Sequence, residues 1–169
     1  EDYANRWLWR AERRRLDSDL LRDALLAAAG ELDLGKRGGP SFAPTINGEA
    51  LEGLSMKSNA WKASPPAEQR RRSIYMLAKR HLLSPLATTF DFPDTTLPCG
   101  RRDVTTVAPQ ALALLNNEFV HQQSQALAEQ VIRASDEPRA RIEAAWQAVL
   151  ARKPTDQEIA TAMALLDQQ

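Results

Sequence analysis

From residue 104 to the end of the chain, apolar positions recur at helical spacing. Leu112, Leu115 and Phe119 form one stripe, Val120, Leu127, Val131 and Ile132 a second, Ile142, Ala145, Trp146 and Val149 a third, and Ile159, Met163 and Leu166 a fourth. This periodicity predicts successive amphipathic helices. Punctuation agrees with it. Thr105 or Thr106 can cap the first helix, with Pro109 tolerated in its opening turn, and Asn116-Asn117 reads as a break. Asp136 precedes Pro138 at the head of the third, and Thr155-Asp156-Gln157-Glu158 is a capping box for the fourth. Connections this short predict antiparallel neighbours.

Ahead of this region the pattern is less regular. Residues 3–15 carry Trp7, Leu8 and Trp9 beside a basic run, which reads as a helix with an arginine-rich polar face. Asp17 can cap a following helix, Asp19 lies in its first turn, Leu16 can staple onto Leu21, and Leu21, Leu25 and Ala28 mark its apolar face. Gly30 is placed to end that helix in a left-handed cap. Residues 31–66 dissolve into Gly, Pro, Ser and Asn, including Gly38-Gly39-Pro40, Asn47-Gly48 and Pro65-Pro66, and predict turns and irregular chain. Over 72–80, Ile74, Met76 and Ala78 alternate with Ser73, Tyr75 and Leu77, which suits a short strand with 41–46 as its candidate partner. The predicted fold class is therefore mainly α: a helical bundle-like core with long irregular loops and a small β element, in a single domain over 1–169.

Composition narrows the function classes. Lys+Arg and Asp+Glu number 22 each, so no overall field attracts nucleic acid or an anionic membrane. A 43% hydrophobic content supports a sizeable core. The single cysteine, Cys99, rules out an internal disulfide and a cysteine-based zinc cluster, and no C-x-x-C-H phrase could hold a haem covalently. No apolar run approaches the roughly 20 residues that span a bilayer. The chain opens and closes in mid-pattern, so it is expected to be a piece of a longer protein.

Candidate chemistry concentrates in residues 90–120, where Asp91, Asp94, Arg101, Arg102 and Asp103 share one loop between apolar segments. Such a cluster either neutralises itself in a fixed geometry or presents charge to a ligand. In the first case Arg102 is expected to be pinned by Asp91 or Asp94. In the second, two carboxylates and a guanidinium suit sugar hydroxyls or, with loop carbonyls, a calcium ion. Paired carboxylates also suit glycoside cleavage when they stand across the bond. No feature names a substrate, and no cofactor or metal is expected in this chain. Cys99 would need His81 or His121 to act as a nucleophile, and reads better as a small buried hydrophobe. Trp146 sits on an apolar stripe and reads as core, whereas Trp61, in the Pro- and Ser-rich stretch, is a candidate stacking residue. Arg13-Arg14-Arg15 and Arg70-Arg71-Arg72 could bind phosphate, but zero net charge and neighbours such as Asp17, Asp19 and Glu68 favour pairing or solvation.

Several phrases, in order, resemble the planctomycete PSD domain, a domain of unknown function at the C-terminal end of large proteins that often also carry cytochrome c-like modules. They are Asn5-Arg6 with Trp9-Arg10, Arg13 to Asp17, Leu21-Arg22-Asp23-Ala24 and Gly38-Gly39-Pro40-Ser41. Arg72-Ser73-Ile74-Tyr75, Phe90-Asp91, Pro93-Asp94, Cys99, Arg102, Thr105-Thr106, Gln110-Ala111-Leu112, Leu115-Asn116 and Phe119-Val120 follow. The resemblance covers essentially the whole chain and corresponds to the C-terminal part of the family domain. It implies a planctomycete-type source and export of the full protein, and supplies no activity or catalytic residue. The expectation is a non-catalytic structural or interaction module that contacts neighbouring domains or an external partner through residues 31–66 and 90–103. The alternative is part of an extracellular polysaccharide-processing or sugar-binding protein, with Asp91, Asp94 and Arg102 at the site. A third reading docks the module onto the electron-transfer part of its own protein.

Overall fold

The computed structural model describes residues 2–10, 14–46, 61–79 and 82–168. The fold is mainly α. Among the described residues the helices are α1 (Ser18–Ala28), α2 (Pro66–Gln69), α3 (Pro85–Thr89), α4 (Ala108–Asn116), α5 (Glu118–Ala134), α6 (Pro138–Leu150) and α7 (Asp156–Leu166), with a 3₁₀ turn at Ser73–Tyr75. α1 is the hub, packing against the 3₁₀ turn, α3, α5 and α6, while α5, α6 and α7 follow one another as packed neighbours.

Local signals set most of the boundaries. Gly30 takes a φ of +69° as the left-handed residue after α1, which favours glycine, and a Cβ there would only have to displace the flexible end of Gln130. Asn117 ends α4 and caps α5, its side-chain oxygen accepting from the Phe119 and Val120 amides at 3.0 and 3.4 Å. The Thr155 box forms as expected: the Thr155 amide donates to Glu158 Oε2 at 2.8 Å and the Glu158 amide to Thr155 Oγ1 at 3.3 Å.

Other expectations require correction. Residues 2–10 are turns rather than helix. Asn5 and Leu8 adopt φ of 52° and 51°, because Asp2 and Asn5 side chains capture the backbone of Trp7 and Arg10 and outcompete a helical ladder. In place of the strand predicted over 72–80, the described residues to 79 form the 3₁₀ turn followed by isolated bridges from Met76 to Phe42 and from Lys79 to Leu82. The partner segment is right, but the Ser73 amide bonds to Asp23 Oδ1 at 2.7 Å and so leaves no ladder. The small β element thus reduces to isolated bridges among the described residues. α4 starts after Val107, not Thr105 or Thr106, since Thr105 is committed to Asp91 and Gln110. Asp17 stands at the α1 cap but its side chain makes no capping bond. The Asn47-Gly48 turn, Arg13 and His81 lie outside the described residues.

The buried face of α1 is rotated by one residue from the predicted stripe: Ser18, Arg22, Leu26 and Ala29 face inward. Around them lie Phe42, Ile46, Leu82, Leu86, Ala87 and Phe90, with Leu26 and Phe42 each 1% exposed. Two arginines hold the irregular segments onto this core. Arg22 donates to the Arg71 carbonyl and Ser73 Oγ at 3.2 Å and to the Gln69 carbonyl, and lies over the rings of Phe42 (5.1 Å) and Phe119 (5.3 Å). Burial lowers its pKa to about 10, partly offset by Asp23. Arg71 donates to the carbonyls of Pro40, at 2.8 Å, and Gly38, fastening the Gly38-Gly39-Pro40 turn.

Candidate interaction site

α3 begins with the Ser84 hydroxyl accepting from the Ala87 amide at 3.2 Å. It delivers the buried Phe90 to the start of the charged loop. The chain then reverses at Asp91, whose φ of 56° is left-handed. That geometry turns the Asp91 carboxylate toward the far end of the same loop. The Thr105 amide donates to it at 2.8 Å, the Thr105 hydroxyl at 2.9 Å, and Arg15 Nη2, 76 residues away in sequence, at 2.7 Å. The Thr105 amide, first, then its hydroxyl and the Arg15 charge hold the Asp91 carboxyl below the ordinary carboxylate range against the opposing effect of desolvation.

Gln110 closes the loop from the α4 side. Its Nε2 donates to the Thr89 carbonyl at 3.1 Å and to the Thr105 hydroxyl at 3.1 Å, and its Oε1 accepts from the Val107 amide at 3.3 Å. Thr89 precedes the loop and Thr105 ends it, so one buried amide fixes the separation of the two ends.

Arg102 departs from the expected pairing. It reaches α1 instead, donating to Asp19 Oδ1 at 2.7 Å and Asp17 Oδ2 at 3.5 Å, with Phe92 beneath it at 5.7 Å. The bond to Asp19 raises its pKa further, and the pair also places anions at the α1 N-terminus, where the dipole favours them. The loop is thus held by Arg15–Asp91 and by Arg102–Asp19, two cross-chain ties between the α1 approach and residues 91–102. Pairing of loop charges is correct as an expectation; the partners are not, because the partner carboxylates lie in a segment remote in sequence.

The remaining residues face outward. Asp94 accepts from the Thr96 amide and hydroxyl at 2.8 and 2.7 Å. Cys99 is exposed, with Sγ 3.2 Å from the Arg101 carbonyl, and is therefore not the small buried hydrophobe expected. Asp91, Asp94, Leu97, Cys99, Arg101 and Asp103 line an open concavity of about 490 Å³. Trp61 is not part of it. Its indole donates to the Pro44 carbonyl at 2.7 Å and ties the segment after residue 60 to residues 43–44. His121 is exposed on α5 and does not line this concavity. No group of three or more His, Cys, Asp or Glu side chains suited to a metal occurs among the described residues. No described helix is long and apolar enough to cross a membrane. Within the arginine triplet at 70–72, Arg70 pairs with Glu31 at 2.8 Å, Arg71 is buried, and Arg72 approaches Asp23 at 3.7 Å.

Arg15 is legible in the sequence only as part of a basic cluster expected to be paired or solvated, and Asp19, Thr105 and Gln110 carry no sequence signal as site residues. Asp19 reads as an ordinary first-turn anion, and Gln110 as a polar residue inside a helix; only the loop's need for closure would have drawn attention to them. No curated protein and no solved structure matches this chain. A family model does match, over residues 1–166, that of PSD1, described as a protein of unknown function (DUF1553). With nearly every described residue inside that match, including the loop and its ties to α1, the chain belongs to the PSD1 family.

Proposed function

We propose that this chain is a non-catalytic structural or interaction module of a larger exported bacterial protein, and that it works by contact with neighbouring domains. One contrast carries this reading. In the loop richest in reactive groups, Asp91 and Arg102 are engaged by Arg15, Thr105 and Asp19, whereas large apolar side chains stand in solvent elsewhere: Trp7 is 84% exposed and Leu8 80%. Exposed apolar groups gathered on one short segment are characteristic of contact surfaces. The turns of residues 2–10, braced by Asp2 and Asn5, fix the direction in which Trp7 and Trp9 project. Export, a planctomycete source and proximity to cytochrome c-like modules rest on the family resemblance. They make an electron-transfer domain of the same protein one such neighbour.

Oxidative footprinting of the full-length protein tests the proposal. Trp7 and Trp9 should label much more slowly there than in the isolated chain, and equal labelling would remove the contact reading. A second reading, sugar binding in the open concavity beside Asp94 and Arg101, is supported by the outward placement of those residues. It predicts polysaccharide retention that Asp94→Asn abolishes.

A further inference from the structure

The turns of residues 2–10 are braced, apolar and positively charged at once. Tyr3, Trp7, Leu8 and Trp9 are all exposed. The bracing comes from inside the segment. Buried Asn5 donates to the Arg10 carbonyl at 2.8 Å and accepts from the Arg10 amide at 3.4 Å, Asp2 accepts from the Trp7 amide at 2.9 Å, and the Trp9 indole donates to the Asp2 carbonyl at 3.3 Å. Leu8 takes a left-handed φ of 51°, uncommon for an aliphatic residue, yet its side chain gains no burial from it. The outward charge is positive. Arg6 and Arg10 are exposed, Arg10 lies 5.4 Å over the Trp9 ring, and Asp2, the acidic residue of 2–10, engages its carboxylate with the Trp7 amide. That sign is local, since the chain as a whole has no net charge.

We propose that Trp7, Leu8 and Trp9 seat in an apolar pocket rimmed by carboxylates on a neighbouring domain of the same protein, with Arg6 and Arg10 pairing with that rim. The proposal rests on the contact reading above and names the chemistry of the partner surface. Tryptophan and arginine anchor protein interfaces, the indole by filling a pocket and the guanidinium by bidentate bonds to carboxylate. A basic or neutral rim would leave two guanidiniums desolvated and unmatched beside the buried indoles, so the rim must be acidic. With Arg10 stacked on Trp9, charge and ring enter the same contact. A protein pocket fits better than a bilayer. A fixed direction of projection helps only against a surface of fixed shape, and a fluid headgroup layer makes no use of the Asn5 clamp or of the Leu8 backbone.

Carbodiimide cross-linking of the full-length protein tests the proposal, because that reagent joins an amine only to a carboxylate in contact with it. In the Arg6→Lys/Arg10→Lys variant the introduced amines should couple to Asp or Glu of another domain, and Trp7 and Trp9 should stay protected from oxidative labelling. Arg6→Glu/Arg10→Glu should instead speed Trp7 labelling by about threefold or more through like-charge repulsion. Leu8→Asn, which tolerates the left-handed backbone, should leave the melting temperature of the isolated chain unchanged while speeding Trp7 labelling in the full-length protein. Protected tryptophans with no such cross-link, or with labelling unmoved by charge reversal, would overturn the acidic rim and leave the contact reading standing. Tryptophans that label equally in the full-length protein and the isolated chain would overturn both. Protection that appears only on adding phosphatidylglycerol vesicles would assign the patch to a bilayer and end the proposal.

Discussion

The described residues between 14 and 103 are mostly irregular, yet they contain Leu26, Phe42, Leu86, Phe90 and most of the other buried apolar side chains described. Residues 104–168 are almost entirely helical, yet only Ile142 and Ile159 among their described apolar residues are fully buried, while Leu112, Leu115, Leu165 and Leu166 are exposed. Regularity and burial have separated. In the first region, arginines and carboxylates replace backbone ladders: Arg22, Arg71, Arg15 and Arg102 satisfy carbonyls and acids that loops would otherwise leave unmatched. In the second, caps and local hydrogen bonds suffice to form helices, and the apolar stripes are only partly consumed by packing. The difference teaches that a strong helical period reports local order without reporting how much core that helix supplies.

Truncation at the α1 hub should break the comparison most severely. Leu26→Ala is expected to cost about 3–5 kcal/mol, from lost transfer energy plus the cavity left behind. Arg22→Met follows at about 3 kcal/mol, since it strands the Gln69 and Arg71 carbonyls and the Ser73 hydroxyl next to the core. Urea melts measure both. A cost below about 1 kcal/mol for Arg22→Met would show that the irregular region does not depend on its guanidinium bolts.

This contrast also explains what was legible in the sequence. Helices α5, α6 and α7 were, because the caps at Asn117 and Thr155 and the proline at the first position of α6, Pro138, are local signals. Residues 2–10 and 72–79 were not: side chains of Asp2, Asn5 and Asp23 divert the backbone, and Asp23 does so across 50 residues. The orientation of α1 was off by one residue because a buried arginine counts as polar in any periodicity, although at Arg22 two aromatic rings flank its stem and charge. At the candidate site, the loop itself and its charge pairing were readable, but Arg15 and Asp19 as partners depend on tertiary placement that spacing does not encode.

The ties between the loop and α1 should matter less than the hub. Arg102 and Asp19 are both partly open to solvent, so Arg102→Ala is expected to lower stability by about 0.5–1 kcal/mol rather than the several kcal/mol of a sealed pair. A loss above about 3 kcal/mol would mean that the tie is shielded and that the loop belongs to the core.

The α7 cap offers a pH test in the second region. Arg152, first, and the Thr155 amide lower the Glu158 pKa to about 2 from its ordinary 4.5. A carboxyl depressed in the folded state binds protons less tightly there than when unfolded. Its stabilisation is therefore complete above about pH 4.5 and is lost as pH falls toward about 2. Melts of Glu158→Gln should show a shallower decline across that window than the unaltered chain, and an identical slope would remove Glu158 as a contributor.

The smallest change in stability is expected from the exposed apolar stripe of α7, and it bears most directly on what that stripe is for. Leu165 is 58% exposed, so Leu165→Ser removes little buried area and should leave the melting midpoint of the isolated chain within about 0.5 kcal/mol. The same substitution in the full-length protein distinguishes two origins for the exposure. If α7 covers part of a neighbouring domain, the full-length variant should lose stability or label faster at Trp146, which lines the adjoining groove. If the stripe is merely solvated, both proteins should tolerate the change equally. A large destabilisation in the isolated chain would instead show that the helical region carries more of the core than its exposed leucines indicate, and the contrast between the two regions would fail.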